Sequence, residues 1–387
     1  MGISWSRYDA RHPTLYKREE AWVDDQPFLL SQGYMLRPRY NPRWKTVYRW
    51  TWSQDVEHTI PNTQANALDA VHLNSNQKVV LKRVHNPEEI RIHAYLHSLR
   101  SDSRNRTIPV LRTLDAPNSP YSFIVTPYCR VFDHPPFHCR MEFIEAMSQY
   151  LEGLEFMHEC GIAHLDIAAQ NMVVDEQPIV PLGSHFCRPQ THTGSYALFQ
   201  WENRCSAGQL NYYYIDFGLA EYYPEGRQHA TRTGTFRTFP DIPEVSADVP
   251  YNPFLVDIFQ LGLVMHKLIY VYSDLEPFRP VAAAMTASNP SSRPSPATSL
   301  RELRTLAGTF TKEELERQIW DRAATPQLKA DRTQRGGYVK DYLYVRHTAL
   351  YGEQSLKFPP PPASTWMAPA APPDQSPTNR EHQASSG

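Results

Sequence analysis

The nine residues AHLDIAAQN, 163 to 171, constrain this chain most, because they place three polar side chains in a short loop directly after a helical pattern. In the preceding run MEFIEAMSQYLEGLEFMHECG, apolar residues recur at alternating spacings of four and three, which predicts an amphipathic helix ending near Gly161. His164, Asp166 and Asn171 then follow. Such a triplet occurs at many helix-to-loop junctions, so its meaning depends on what accompanies it along the chain.

Five further segments accompany this loop in a fixed order. The run VVLKRV has the pattern of an apolar strand and carries Lys82. The run YYYIDFGLA has the pattern of a strand that delivers Asp216, Phe217 and Gly218 to a turn. The other three segments are GTFRTFPDIPE, which closes in Pro243 and Glu244, VDIFQLG, which contains Asp257, Phe259 and Gly262, and SSRPS, which contains Arg293. Six separated motifs in one order indicate a defined architecture.

Together these motifs resemble the eukaryotic protein kinase superfamily, over about residues 60 to 305. The sequence is most similar to kinase-like domain proteins common in basidiomycete fungi. The similarity lies in the segment EGLEFMHECGIAHLDIAAQNMVVD, which is followed by a long insert and by YYYIDFGLAEYY. The resemblance implies an α+β, bilobal fold. A small, mostly β N-lobe with one helix would precede a larger helical C-lobe.

The distribution of strand and helix patterns along the sequence agrees with two lobes. Short β-type runs lie between about 45 and 127 and are interrupted by one helical pattern, PEEIRIHAYLHSL. Residues 281 to 300, dense in Ala, Ser and Pro, have the composition of a loop. We therefore expect an N-terminal extension at 1–44, an N-lobe at 45–127, a C-lobe at 128–310 with an insertion at about 176–210, a helical or irregular extension at 311–357 and a proline-rich disordered tail at 358–387.

The resemblance implies ATP and Mg²⁺ as cofactors and a protein as substrate. Lys82 would neutralise the α and β phosphates of ATP, and Glu89 would hold Lys82 as an ion pair. Only seven positions separate these two residues, so the helix must begin abruptly after Pro87, and Glu88 is the alternative partner. Asn171 and Asp216 would bind the metal, since a hard cation prefers oxygen ligands.

Asp166 would orient the substrate hydroxyl and accept its proton. The other motif residues have structural roles in this resemblance. His164 and Phe217 would pack beside the catalytic loop, and Phe217 would determine whether Asp216 points inward. The remaining structural positions are Gly218, the pair of Glu244 with Arg293, and Asp257, which would hold the backbone of the catalytic loop.

The sequence departs from the kinase pattern in two places. Leu165 replaces the arginine that receives an activation-loop phosphate in many kinases. Its loss removes a switch rather than a catalytic group, so Leu165→Arg is expected to leave basal activity nearly unchanged. In addition, no glycine lies between Gly33 and Gly153, so WSQDVEHTIPNTQANALDAV cannot approach phosphates as a glycine-rich loop does.

These departures leave three functions open. An active ATP-dependent protein kinase is favoured, because Lys82, Asp166, Asn171 and Asp216 are all present. A pseudokinase acting as a binding or scaffolding module is the alternative, and the missing glycine loop supports it. A small-molecule phosphotransferase of the aminoglycoside-kinase type shares part of the pattern but lacks an activation segment.

Composition limits the partners and the compartment. A formal net charge of −2 gives no reason to expect nucleic-acid binding. Five unpaired cysteines favour a reducing, intracellular compartment, cytoplasmic or nuclear, and His185, Cys187 and Cys205 lack the paired spacing of a zinc site. No transmembrane segment is expected, because the apolar run from Phe254 to Tyr272 contains charged residues. The opening MGISWS matches the myristoylation pattern at Gly2, although no second anchor accompanies it.

Overall fold

The central strand of the small lobe, Gln77–Val84, alternates buried and half-exposed residues along most of its length, as a sheet with one covered face requires. The structure, a computed structural model, describes residues 15–41, 60–117, 119–194, 199–236, 241–327 and 329–330. Gly2, the strand pattern near residue 50 and the tail at 358–387 lie outside the described residues. The sheet is antiparallel in the order β1-β2-β3-β5-β4, with β1 at Tyr34–Leu36, β2 at Ala67–His72, β3 at Gln77–Val84, β4 at Arg112–Asp115 and β5 at Ser122–Pro127.

The described part of the expected extension, residues 15–41, is integrated into this lobe, which corrects the boundary at residue 45. Helix α1, Lys17–Ser31, buries Trp22 completely, and β1 forms the edge strand beside β2. The guanidinium of Arg83 on β3 stacks on Trp22 at 3.6 Å and donates a 2.7 Å hydrogen bond to Asp25 of α1. No periodic pattern marks this region in the sequence, because β1 has three residues and thirty residues separate it from its partner strand.

Helix α2, Pro87–Ser98, begins immediately after β3. Proline occupies the first turn, where its missing N–H costs nothing, and the side chain of Asn86 accepts a hydrogen bond from the backbone N–H of Glu88. The abrupt start expected after Pro87 is therefore present. The helix buries Glu89, Ile92, His93 and Leu96 along one face.

The large lobe is helical, as the sequence indicated, and the bilobal α+β fold is confirmed. Its helices are α3 at Arg140–Glu159, α4 at Pro253–Val271, α5 at Arg279–Met285, α6 at Pro296–Ala307 and α7 at Lys312–Glu316. Its strands are β6 at Cys129–Val131, β7 at Ile162–Ala163, β8 at Met172–Asp175, β9 at Tyr212–Tyr214 and β10 at Glu221–Tyr222. Gly161, with φ of +73°, follows the end of α3.

Helix α4 is long and apolar enough to cross a membrane by composition alone, but 67% of its most apolar window is buried inside the protein. It is the central helix of the large lobe. The loop expected at 281–300 is wrong, because α5, a 3-10 turn at Pro290–Ser292 and α6 together occupy most of this range. Of the prolines in this range, Pro290 begins the 3-10 turn and Pro296 begins α6, and the hydroxyl of Ser295 caps α6 by accepting from the N–H of Thr298.

The insertion leaves the end of β8 and returns at β9, and these two strands pair with each other. Its first part reaches the small lobe. Lys78 of β3 donates a hydrogen bond to the carbonyl of Ser184, Tyr128 lies 3.0 Å from the hydroxyl of Ser184, and Arg37 lies 3.1 Å from the ring of His185. Its later part is fixed to the large lobe, where Arg204 donates to the carbonyls of Phe132, Pro135 and Pro136. The segment therefore spans both lobes.

Candidate active site

The side chain of Lys82 lies between two carboxylates at the mouth of the cleft. Its Nζ contacts Oε1 of Glu89 on α2 and lies 2.7 Å from Oδ1 of Asp216, which follows β9. Glu88 instead faces solvent and pairs with Arg91. The short separation of Lys82 and Glu89 along the chain therefore still allows the contact, and the alternative partner does not make it.

The electrostatics of this triplet follow from its burial. Burial lowers the pKa of Lys82, but the carboxylates of Asp216 and Glu89 outweigh that effect and raise it above its usual value. Burial also raises the pKa of Glu89, which Lys82 only partly offsets. For Asp216 burial is the largest effect, yet the ammonium of Lys82 prevails and its pKa is lowered. Lys82 is thus a stable cation, and Asp216 a stable anion.

The catalytic loop is held from below by two side chains of α4. Asp257 is fully buried and accepts hydrogen bonds from the backbone N–H groups of His164 at 2.8 Å and Leu165 at 2.7 Å. Gln260, one turn further along α4, accepts from the N–H of Ile167 and donates to the carbonyl of Leu165. Gln260 was not singled out from the sequence. Its spacing of three from Asp257 was the available signal, because such residues share a helix face.

The acidic and amide groups of the loop are arranged around Asp166. The Nδ2 of Asn171 donates to the backbone carbonyl of Asp166 at 2.9 Å and to its Oδ2 at 2.8 Å. Within the described part of the chain, the buried Oδ1 of Asp166 has no hydrogen-bond partner. A carboxylate held through one oxygen leaves the other able to accept a proton or hydrogen bond from a ligand.

Three aromatic side chains stack behind Asp216. Phe217 is fully buried, and its ring centre lies 4.9 Å from that of His164 and 4.8 Å from that of His93 on α2. Burial lowers the pKa of His164 and lowers that of His93 to about 3, so both rings are neutral at pH 7. The stack connects α2 to the catalytic loop. His93, four residues after Glu89, was missed from the sequence, although both lie on one face of the helix.

Asp216 itself adopts a left-handed backbone conformation, with φ of +64°. Its Oδ1 accepts a hydrogen bond from the N–H of Gly218 at 3.3 Å, which stabilises the turn. A Cβ on Gly218 would lie 3.2 Å from that same oxygen and 3.5 Å from Oε2 of Glu89. The position therefore favours glycine, because a side chain would crowd the carboxylates around Lys82.

The segment after β10 is closed by an ion pair. Arg293 donates to both carboxylate oxygens of Glu244, at 2.8 Å for Nη2, and to the carbonyl of Leu255 on α4. A bidentate arginine pair fixes both position and orientation. Glu244 and Arg293 are thus brought together, forty-nine residues apart in sequence.

Leu165 lies in an apolar cluster beneath this segment. The cluster includes Ala230, Phe236 and Tyr251 of the segment and Phe254 of α4, and Leu165 is fully buried within it. Its φ of +65° is a conformation that costs roughly 1–2 kcal/mol for a residue with a Cβ, and the hydrogen bond from its N–H to Asp257 helps to offset this. Where many kinases have an arginine, this chain has an apolar anchor.

The burial of Leu165 predicts a cost in stability for Leu165→Arg, apart from its effect on basal activity. The variant should lose at least about 3 kcal/mol of folding free energy, because the guanidinium would be buried without a partner. The measurement is the free energy of unfolding by urea. The volume-conserving Leu165→Met is the control and should cost less than about 1.5 kcal/mol. An arginine variant as stable as the parent would contradict the assigned packing.

A sequence model of the protein kinase domain matches residues 63–284, which is more than half of the chain. The chain belongs to the protein kinase family. The chain is also similar to a curated protein of Encephalitozoon cuniculi (strain GB-M1), described as a probable casein kinase II subunit alpha homolog, with 23% identity over 197 residues. That alignment covers 50% of this chain and 51% of the relative, so the chain spans about half the length of the relative it matches.

The family match places the described geometry in context. It includes Lys82, the catalytic loop, Asp216 and α4, so a kinase-type function is supported. It begins after β1 and ends before α6, which leaves α1, β1 and Arg293 outside the matched range. The fifth strand of the small-lobe sheet, β1, therefore lies outside the residues that match the family model.

Proposed function

We propose that the chain is an ATP-dependent protein kinase that transfers the γ-phosphoryl group of ATP to a hydroxyl group of a protein. The observation that carries the proposal is Lys82, whose ammonium contacts both Glu89 and Asp216. This arrangement joins the small lobe, its helix and the large lobe at one cation. The similarity to a protein named as a casein kinase II subunit alpha homolog supports the same class of activity.

The residues present fit a nucleotide with a divalent cation. Lys82 would bind the α and β phosphates, and carboxylate and amide oxygens of Asp216 and Asn171 would hold Mg²⁺. When bound, the cation would neutralise charge that develops on the phosphate oxygens. The free Oδ1 of Asp166 would accept the proton of the attacking hydroxyl, while Asn171 holds the other oxygen in place.

The apolar anchor at Leu165 supports activity that does not depend on phosphorylation of the activation segment. The cluster around Leu165 and the pair of Glu244 with Arg293 already fix that segment at both of its ends. Position 165 is a leucine, so it offers no guanidinium to bind a phosphate on that segment. We infer that the switch common in this family is replaced by permanent packing.

A pseudokinase is the second candidate, and one observation favours it. The connection from β1 to β2 contains no glycine, so its backbone cannot approach phosphates as closely as a glycine-rich loop. An aminoglycoside-type phosphotransferase is less favoured, because Glu244 and Arg293 close an activation segment that such enzymes lack. We further infer, from the similarity of sequence around the catalytic loop, that the chain is related to the basidiomycete kinase-like proteins. From its cysteine usage we infer an intracellular location, cytoplasmic or nuclear.

Binding of Mg-ATP, followed by thermal unfolding, tests the proposal. At a concentration about 100 times its dissociation constant, the ligand should stabilise the folded state by about 2.7 kcal/mol, which raises the melting temperature by several degrees. ATP with a chelator in place of Mg²⁺ is one control, and Asp216→Asn, which weakens a metal ligand, is the other. Both should reduce the shift. A melting curve indifferent to millimolar Mg-ATP would eliminate the kinase proposal and leave the pseudokinase.

A further inference from the structure

Four side chains of types that bind metal ions meet at the start of α3, and none of them belongs to the cleft residues described above. His138, Cys139 and Glu142 come from the residues that open this helix, and Cys205 comes from the end of the insertion. The ligand atoms of all four lie within 4.8 Å of one another. Within the part of the chain that the structure describes, these four residues form the one group of histidine, cysteine and acidic side chains whose ligand atoms lie this close together.

The distance between two of the ligand atoms matches tetrahedral coordination. Zinc binds sulfur at about 2.3 Å and imidazole nitrogen at about 2.0 Å, so the two ligand atoms in a tetrahedral site lie about 3.5 Å apart. The Sγ of Cys205 lies 3.6 Å from Nδ1 of His138. The Sγ of Cys139 lies within 4.8 Å of both of these atoms.

The backbone around the cluster is fixed without a metal. Glu142 accepts hydrogen bonds from the N–H of His138 at 2.7 Å and from the N–H of Cys205 at 2.9 Å. One fully buried carboxylate thus holds both ligand-bearing segments together. The carbonyl of His138 accepts from the N–H of Ile319, which restrains its main chain further.

Charge balance also suits a divalent ion. Two thiolates would neutralise Zn²⁺, and imidazole is a neutral ligand. The carboxylate of Glu142 lies 3.7 Å from the guanidinium of Arg204, so that buried pair is already neutral. Cys205 is exposed and His138 is half-exposed, which gives an ion access from solvent, while Cys139 is buried.

We propose that His138, Cys139 and Cys205 bind one Zn²⁺, with the carboxylate of Glu142 at the fourth position. Mixed sulfur and nitrogen donors in a tetrahedral arrangement select zinc over magnesium or calcium. The ion would fasten the end of the insertion to the first turn of α3. The site differs from the sequence candidates His185 and Cys187, since Cys187 lies beside Asn62 instead.

Zinc binding by the full chain tests this site. The protein is purified with a phosphine reductant, stripped with a chelator and returned to Zn²⁺ or Co²⁺ alone. The wild type should retain one zinc per chain after gel filtration, show a thiolate-to-cobalt charge-transfer band, and melt at a higher temperature with zinc. Cys205→Ser should weaken zinc binding by at least about 100-fold and abolish both the band and the thermal shift.

Cys187→Ser is the matched control, because it removes another cysteine of the same insertion, and it should bind zinc like the wild type. The side chain of Cys205 is exposed, so its serine variant should fold, which circular dichroism checks. Three results would overturn the site: a wild type that takes up no zinc at micromolar concentrations, zinc binding unchanged in Cys205→Ser, or a Cys139–Cys205 disulfide whose reduction brings no zinc uptake.

Discussion

Replacing Asp166 by asparagine should lower the rate of phosphoryl transfer by about 10²–10⁴-fold while leaving the affinity for Mg-ATP nearly unchanged. An amide cannot accept the proton of the substrate hydroxyl. It still offers one oxygen to Nδ2 of Asn171, so the hydrogen bond that orders the loop is retained. Single-turnover transfer to a generic protein substrate such as casein, together with the Mg-ATP thermal shift, separates the two effects.

Asp115→Asn is the control for this experiment, because it removes an exposed carboxylate on β4 whose side chain, among the described residues, accepts a hydrogen bond only from Ser122. It should leave both measurements as in the wild type. Transfer that survives Asp166→Asn would show that Asp166 is not the base. Loss of nucleotide binding in the same variant would show instead that the loop geometry depends on its charge.

Replacing Lys82 by methionine should reduce both the Mg-ATP thermal shift and transfer, because the cation that faces the phosphates is removed. The apo protein should also lose about 1–3 kcal/mol of stability at pH 7, since the buried carboxylate of Glu89 is left beside Asp216 without a partner. Burial already raises the pKa of Glu89. Acidification should therefore reduce the deficit, because protonation removes the unpaired charge, and a rise in pH should restore it.

Lys82→Arg distinguishes the two roles of the lysine. The guanidinium keeps the charge and should recover part of the lost apo stability, but its planar fork does not reproduce the ammonium geometry, so transfer should stay low. The exposed Lys312→Met controls for the loss of one positive charge elsewhere. A Lys82→Met protein with wild-type stability and an undiminished thermal shift would refute the role of the triplet.

The contacts of the site residues could be anticipated where a motif fixed both partners. The resemblance to protein kinases assigned Asp257 to the catalytic loop and Arg293 to Glu244, and both contacts are present in the structure. The contact of Lys82 with Glu89 was in doubt because of their short separation. It forms because Asn86 and Pro87 start α2 within two residues of β3.

Other features depended on tertiary context that no local pattern carries. A three-residue strand such as β1 has too few positions for a period to appear, and its stability comes from β2 and the packing of α1. The prolines at the starts of α5 and α6 indicate a loop or a helix start equally well. Leu165 was recognised as a missing arginine, but only its burial shows that an apolar cluster takes that place.

The bridge that residues 176–210 form between the lobes bears on turnover. Lys78 and Arg37 of the small lobe contact this segment, and Arg130 of β6 pairs with its residue Glu176 at 3.0 Å. Wide separation of the lobes must break the contacts of Lys78 and Arg37 with this segment, because Arg130 and Glu176 hold it to β6 of the large lobe. We therefore expect the exchange of ADP for ATP, rather than phosphoryl transfer, to limit the rate of the catalytic cycle. Shortening this segment should accelerate the cycle.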